Sequence, residues 1–151
     1  MTKLSRRTLM KGVGVAATLS MIGSAARAED KIKIGFIFLG PIGDYGWTWA
    51  HNKGREAIES ELGDKVETLY VENVAEDASA IPVIRDLAQQ GCKLIFTTSY
   101  GYMDQTLQVA SEFPDVKFEH CTGFKRADNM ATYNSKFHEG RAVLGTIAGK
   151  M

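Results

Sequence analysis

Two cysteines in 151 residues are too few for a disulfide-rich scaffold. A surplus of either charge is also missing, with 18 Lys and Arg against 18 Asp and Glu. That balance conceals an asymmetry. Five of the bases (Lys3, Arg6, Arg7, Lys11 and Arg27) and none of the acids lie in the first 28 residues, so the remainder holds 13 bases against 18 acids, a net of −5. An acidic body disfavours nucleic acid, whose phosphates demand a Lys and Arg surplus. The uncharged stretch over residues 12–25 has 14 residues, short of the ~20 that a membrane-spanning helix needs. Internal repeats and low-complexity linkers are absent. So are the phosphate-binding glycine patterns: Gly35, Gly40 and Gly43 do not make G-x-G-x-x-G, and no Lys-Ser/Thr pair follows a glycine loop. His51, His120 and His138 are scattered, none at metal-ligand spacing and none beside a Ser or Cys that reads as a nucleophile. No cofactor is expected. What remains, 44% hydrophobic and 24% charged residues, is the balance of one globular domain with a real core.

The first 28 residues read as an address. A short basic segment (residues 1–11) precedes the uncharged stretch of mostly small and apolar residues, and Ala26-Arg27-Ala28 supplies small residues at both recognition positions of a cleavage site. That is the plan of a secretory signal peptide. Ser5-Arg6-Arg7-Thr8-Leu9-Met10-Lys11 resembles a twin-arginine export signal. The expectation is cleavage after Ala28 and a soluble periplasmic product.

The body alternates strand and helix. Residues 31–39 begin with alternation and become a continuous apolar run, as in a strand buried on both faces. A glycine-containing loop follows, and then a helix over 47–62 with Ala50, Gly54, Ala57, Ile58 and Leu62 at helical spacing. Residues 66–71, 94–98, 116–121 and 130–133 read as further strands. Residues 79–90 and 103–113 read as helices, and the chain is helical again from Phe137, with Val143, Leu144, Ile147 and Ala148 on one stripe. Pro82 is compatible with a helix only in its first turn. This order predicts an α/β fold, a parallel-sheet three-layer sandwich of Rossmann-like topology. The chain stops inside a helical pattern, which suggests a piece of a longer protein. Cys92 starts one strand and Cys121 ends another, roughly 15–20 Å apart at ~3.3 Å per residue, so two free thiols are expected.

Ligands of open parallel sheets bind beyond the carboxyl ends of the strands. In this sequence those ends collect Asp44, Tyr45, Trp47, Ser99, Tyr100, Tyr102 and Asn134. Aromatic faces with a few hydrogen-bonding groups suit a flat, polar, uncharged ligand such as a heteroaromatic base. Ser99 lacks the first glycine of a nucleophile elbow. His51 and His138 read as solvent-facing or capping residues, and His120 as a strand residue.

Three blocks carry a family resemblance. The first is Gly43-Asp44-Tyr45-Gly46-Trp47-Thr48-Trp49-Ala50-His51-Asn52-Lys53-Gly54, with an aromatic three residues and a glycine ten residues after the aspartate. The second runs from Leu94 through Ser99-Tyr100-Gly101-Tyr102-Met103-Asp104 to Phe118, and the third joins Asn134 to Glu139-Gly140-Arg141-Ala142-Val143-Leu144-Gly145. Together they resemble the basic membrane protein family of ABC-transporter solute-binding proteins, whose best-understood members are purine nucleoside receptors. The resemblance implies a periplasmic binding protein-like N-terminal lobe over residues 29–151 and a second lobe that is not in this chain. It implies a monomer when complete, an inner-membrane ABC permease as partner, and no catalysis. It places Asp44 on the hydrogen-bonding edge of the base and Trp47 against its face; the reading of the strand ends adds Tyr45, Ser99, Tyr100 and Asn134 to the expected site. Nucleoside-binding members commonly carry Phe and Asn where this chain has Trp47 and Thr48, so a free base and a nucleoside both stay open. Two other readings stay open beside it: an exported α/β enzyme hydrolysing nucleosides, and a sugar-binding receptor lobe.

Overall fold

A computed structural model of the chain describes residues 31–151; the export leader expected over residues 1–28 lies outside the described residues. The elements follow in the order β1 (Ile32–Ile37), α1 (Trp47–Leu62), β2 (Val66–Val71), α2 (Ala80–Gln89), β3 (Cys92–Thr97), α3 (Met103–Glu112), β4 (Lys117–Cys121), β5 (Met130–Tyr133) and α4 (Phe137–Ala148), with a 3₁₀ turn at Tyr100–Tyr102 before α3. The five strands form one sheet in the order β2-β1-β3-β4-β5, and every neighbouring pair is parallel. This is the doubly wound arrangement that the alternation of elements predicts. Its strand order reverses direction between β1 and β3, the place where such sheets receive ligands.

Alternation along the strands separates two cores. Ile37, Ile95, Phe118 and Met130 point to the face covered by α2 and α3, where Ile84, Leu87 and Val109 meet them. Gly35 lets α2 come close. A Cβ there would stand 3.2 Å from Leu87 Cδ1 and from Cys92 Sγ, inside ordinary packing distance. Ile34, Phe36 and Phe38 point to the opposite face, under α1, with Val66 and the half-buried Ile58. Phe36 and Phe96, partners in the β1–β3 register, stack with ring centres 4.8 Å apart and planes 6° apart. Pro82 is the third residue of α2, within the first turn, where its missing N–H has no helical partner to lose. Cys92 and Cys121 are both buried and free.

Two expectations change. The small-residue stripe of α1 is not its inner face: Ala50, Gly54, Ala57 and Leu62 are exposed, while Thr48, Asn52 and Arg55 are buried. Small side chains offer little area to bury, and a polar network anchors the helix instead. Arg55 Nε donates to Asn52 Oδ1 at 2.8 Å and Nη1 to Thr68 Oγ1 of β2 at 2.9 Å. Nη1 also lies 2.9 Å from Glu59 Oε2, and the guanidinium sits 4.6 Å above the Tyr70 ring. Tyr102, counted among the rim aromatics from sequence, is fully buried. Its hydroxyl donates to the Val74 carbonyl beyond β2, and the ring joins the core on the α2 and α3 side of the sheet.

Helix α4 buries none of its residues. Phe137 at its start meets Trp47 with ring centres 5.8 Å apart; beyond it Val143, Leu144 and Ile147 are 61%, 67% and 54% exposed.

Candidate functional site

The carboxyl edge of the sheet is built from strained loops. Among the described residues the non-glycine positions with positive φ are Tyr45 (51°), Asn73 (56°) and Thr122 (67°), in the segments that leave β1, β2 and β4. A β-branched residue such as Thr122 resists that conformation most, and backbone strain of this kind gathers at ligand sites.

Asp44 organises the first loop. Gly46 precedes α1 and offers no capping side chain, so the acceptor comes from two residues earlier. Asp44 Oδ1 accepts from Gly46 N at 2.7 Å and Trp49 N at 2.9 Å, and Oδ2 accepts from Thr48 N at 3.2 Å. These backbone donors, Gly46 foremost, hold its carboxyl below the usual range against the opposing effect of desolvation. Thr48 Oγ1 in turn accepts from Gly40 N at 3.1 Å. The start of α1 is thereby locked against the end of β1.

Trp47 is then fixed across the switch point. Its indole Nε1–H donates to the Thr98 carbonyl just beyond β3 at 2.7 Å, and the Thr98 hydroxyl donates to the Ile37 carbonyl of β1 at 2.8 Å. The half-buried indole faces a cavity of about 490 Å³ lined by Gly46, Trp47, Ala50, His51, Cys121, Tyr133, Asn134, Ser135 and Phe137. That volume lies in the range of small-molecule sites. Trp47, Ala50 and His51 reach it together because i, i+3 and i+4 share one helix face. Cys121 and Tyr133 reach it together because they are register partners on β4 and β5. None of the lining side chains is an acid, a lysine or an arginine. Burial pushes the Cys121 thiol up, with the Tyr133 hydroxyl acting in the opposite direction. Burial likewise pushes the Tyr133 phenol up. Both groups are neutral at ordinary pH.

Of the six residues expected at the site, Trp47 and Asn134 line this cavity. The other four lie along the same edge but outside the lining. Tyr45 is 84% exposed and tilts against Trp49 at 6.1 Å. The Ser99 hydroxyl donates to Glu76, whose Oε1 also accepts from Gly101 N at 2.8 Å, so Glu76 ties this turn to the segment after β2. Tyr100 projects into solvent, and the Asp44 carboxylate faces the helix start that it caps. Residues that sequence reasoning did not place here are His51, Tyr133, Ser135 and Phe137. For His51 the signal was present: it stands one helical turn after Trp47. Tyr133 and Phe137 carried none, since their position depends on β5 closing the edge of the sheet.

A family model described as "ABC transporter substrate-binding protein PnrA-like" matches residues 31–151. A purine-binding protein of Brucella abortus (strain 2308) is 58% identical over 139 residues, covering 91% of this chain and 40% of that protein. A Haloferax volcanii protein named as an ABC transporter glucose-binding protein is 35% identical over 127 residues, covering 84% of this chain and 32% of that protein. Among solved structures, a solute-binding protein of an ABC transporter system from Conexibacter woesei superposes with a TM-score of 0.61 at 24% identity, over 68% of this chain and 35% of that chain; that likeness concerns the fold. The chain thus spans two fifths or less of the length of these relatives. No helix among the described residues is long and apolar enough to cross a membrane. The chain belongs to the Bmp family of PnrA-like ABC transporter substrate-binding proteins.

Proposed function

We propose that the chain is the N-terminal, ligand-capturing lobe of an exported solute receptor that takes up a purine base or nucleoside and hands it to an inner-membrane permease. The observation that carries this reading is the chemistry of the cavity: aromatic rings of Trp47, Tyr133 and Phe137 around about 490 Å³, with no acid, lysine or arginine in the lining. A planar heterocycle stacks on such rings, and its ring nitrogens need only a few neutral hydrogen-bonding partners. The name of the Brucella abortus relative supports the same ligand class. Capture is reversible. The buried Cys121 thiol is held protonated, and a thiol in that state is a poor nucleophile. A second lobe closing over the open side, by the hinge motion common to two-lobed receptors, would complete the site. The leader over residues 1–28 would deliver the protein to the periplasm by the twin-arginine route.

The Haloferax volcanii relative, named as a glucose binder, makes a hexose the competing ligand, since sugars also stack on indole. Titration with adenine, inosine and glucose separates the two. Purine binding that weakens by about 1–3 kcal/mol on Trp47→Ala, the usual worth of a base–aromatic stack, is the expected result. Binding of glucose with no purine bound would overturn the assignment.

A further inference from the structure

His51 occupies a constrained position in this cavity. It is half-buried on the first turns of α1, with its ring centre 4.7 Å from that of Trp47 and 6.3 Å from that of Tyr133. Its Nδ1 lies 2.9 Å from the Trp47 carbonyl oxygen. A carbonyl only accepts, so the hydrogen belongs to Nδ1. In the neutral imidazole the distal nitrogen, Nε2, is then a lone pair. The bond to the helix backbone holds Nδ1 on the helix side of the ring and leaves Nε2 on the opposite edge of a ring that lines the cavity.

Asn134 supplies the opposite polarity. Its Oδ1 accepts from Ser135 N at 2.9 Å, which orients the amide and leaves the Nδ2 hydrogens as donors. The residues lining the cavity therefore include one fixed acceptor and one fixed donor among rings that meet at tilted angles.

We propose that His51 is a specificity-determining residue whose Nε2 accepts a hydrogen bond from an N–H of the captured purine, with the Asn134 amide serving a bare ring nitrogen. This deepens the purine-binding reading above and rests on it. A hexose hydroxyl can donate or accept and is indifferent to which polarity it meets. A purine N–H can only donate, so it needs a partner whose tautomer is fixed as His51 is. Replacing that N–H with N–CH₃ removes the bond and sets a methyl against the lone pair.

The test is a cycle of variants and ligands, read by ligand-observed NMR titration of the chain, a method that registers affinities as weak as about millimolar. The ligands are adenine, 9-methyladenine and N6,N6-dimethyladenine. The variants are His51→Phe, which keeps a flat ring against Trp47 without an acceptor, and His51→Gln, which keeps an acceptor oxygen. The wild-type chain should bind at least one methylated analogue about 5- to 10-fold more weakly than adenine, the usual worth of one hydrogen bond. His51→Phe should lose the same factor for adenine and no longer distinguish the analogue, while His51→Gln recovers part of both. Wild-type adenine affinity in His51→Phe, or undiminished discrimination against the methylated analogue, overturns the role of His51 and leaves the purine reading standing. Absence of binding to every purine in the wild-type chain overturns the purine reading and this role together.

Discussion

His120 is wholly buried on β4, and hydrogen-bond arithmetic assigns its proton. The Thr106 hydroxyl lies 2.6 Å from the Tyr102 carbonyl and 3.0 Å from the Thr97 hydroxyl, which is 2.9 Å from His120 Nδ1. A carbonyl accepts only, so Thr106 donates to Tyr102. Thr97 must then donate to Thr106, and His120 Nδ1–H must donate to Thr97. Nε2 is left buried without a partner, against Gly123, where an added Cβ would stand 2.4 Å away. A proton on Nε2 would be a buried, unpaired charge, and burial accordingly lowers the pKa of His120. The linkage sign follows from that direction. Between the depressed folded value and the unfolded value of about 6.5, the unfolded chain binds more protons, so stability falls as pH drops through this window. Urea midpoints measured at pH 7.5 and 5.0 should decline for the wild-type chain and much less for His120→Gln; equal declines would place the effect elsewhere.

At the scale of elements, α1 is attached to the sheet by polar side chains together with Ile58, and the other members of its apolar stripe point away from that attachment. Arg55 is the centre of the attachment, bridging Asn52, Thr68 and Tyr70. Its ion pair with the 43%-exposed Glu59 contributes little by itself. The cost of losing Arg55 lies in the hydrogen-bonding groups it leaves unmatched, about 1–3 kcal/mol. Arg55→Ala should therefore lower unfolding free energy by about that amount in urea titrations, whereas Ala57→Ser on the exposed stripe should change it by less than about 0.5 kcal/mol. The reverse ranking would mean that α1 packs by the face its sequence advertises. The strands were the legible part of the fold. A parallel strand buried on both faces is an uninterrupted apolar run, as in Ile34-Gly35-Phe36-Ile37-Phe38, and its shortness with the glycine-containing loop after it separates it from a buried helix. The inner face of α1 was not legible, because Thr48 and Arg55 take their partners from the loop after β1 and from Thr68 and Tyr70 of β2, and Asn52 is held by Arg55.

The molecule as a whole leaves one element without support. The α4 stripe of Val143, Leu144 and Ile147 lies in solvent, and a contiguous exposed apolar face promotes association. Light scattering across a concentration series should detect self-association of this chain that Leu144→Lys with Ile147→Lys removes without lowering the unfolding midpoint. A midpoint that falls with these substitutions would show that the stripe is packed within the molecule. The same scale explains why part of the site could be found from residues alone. The loops after β1, β3 and β5 had to meet at one edge once the sheet was parallel, and Trp47 and Asn134 line the cavity at that edge. Which loop residues turn inward was a separate matter, and Tyr100, Tyr102 and Ser99 turn to solvent, core and Glu76 respectively.

The amino-acid sequence by itself determined the order of strands and helices, the parallel sheet and the edge at which the cavity opens, because burial on two faces and helical periodicity are local patterns written in apolar spacing. Tertiary structure alone decided the cavity. Tyr133 comes beside Cys121 through strand register, Phe137 meets Trp47 across the edge, and one nitrogen of the His51 ring is held by the backbone of its own helix. These are relations between residues far apart in the chain or between a side chain and a carbonyl, and spacing in sequence does not encode them.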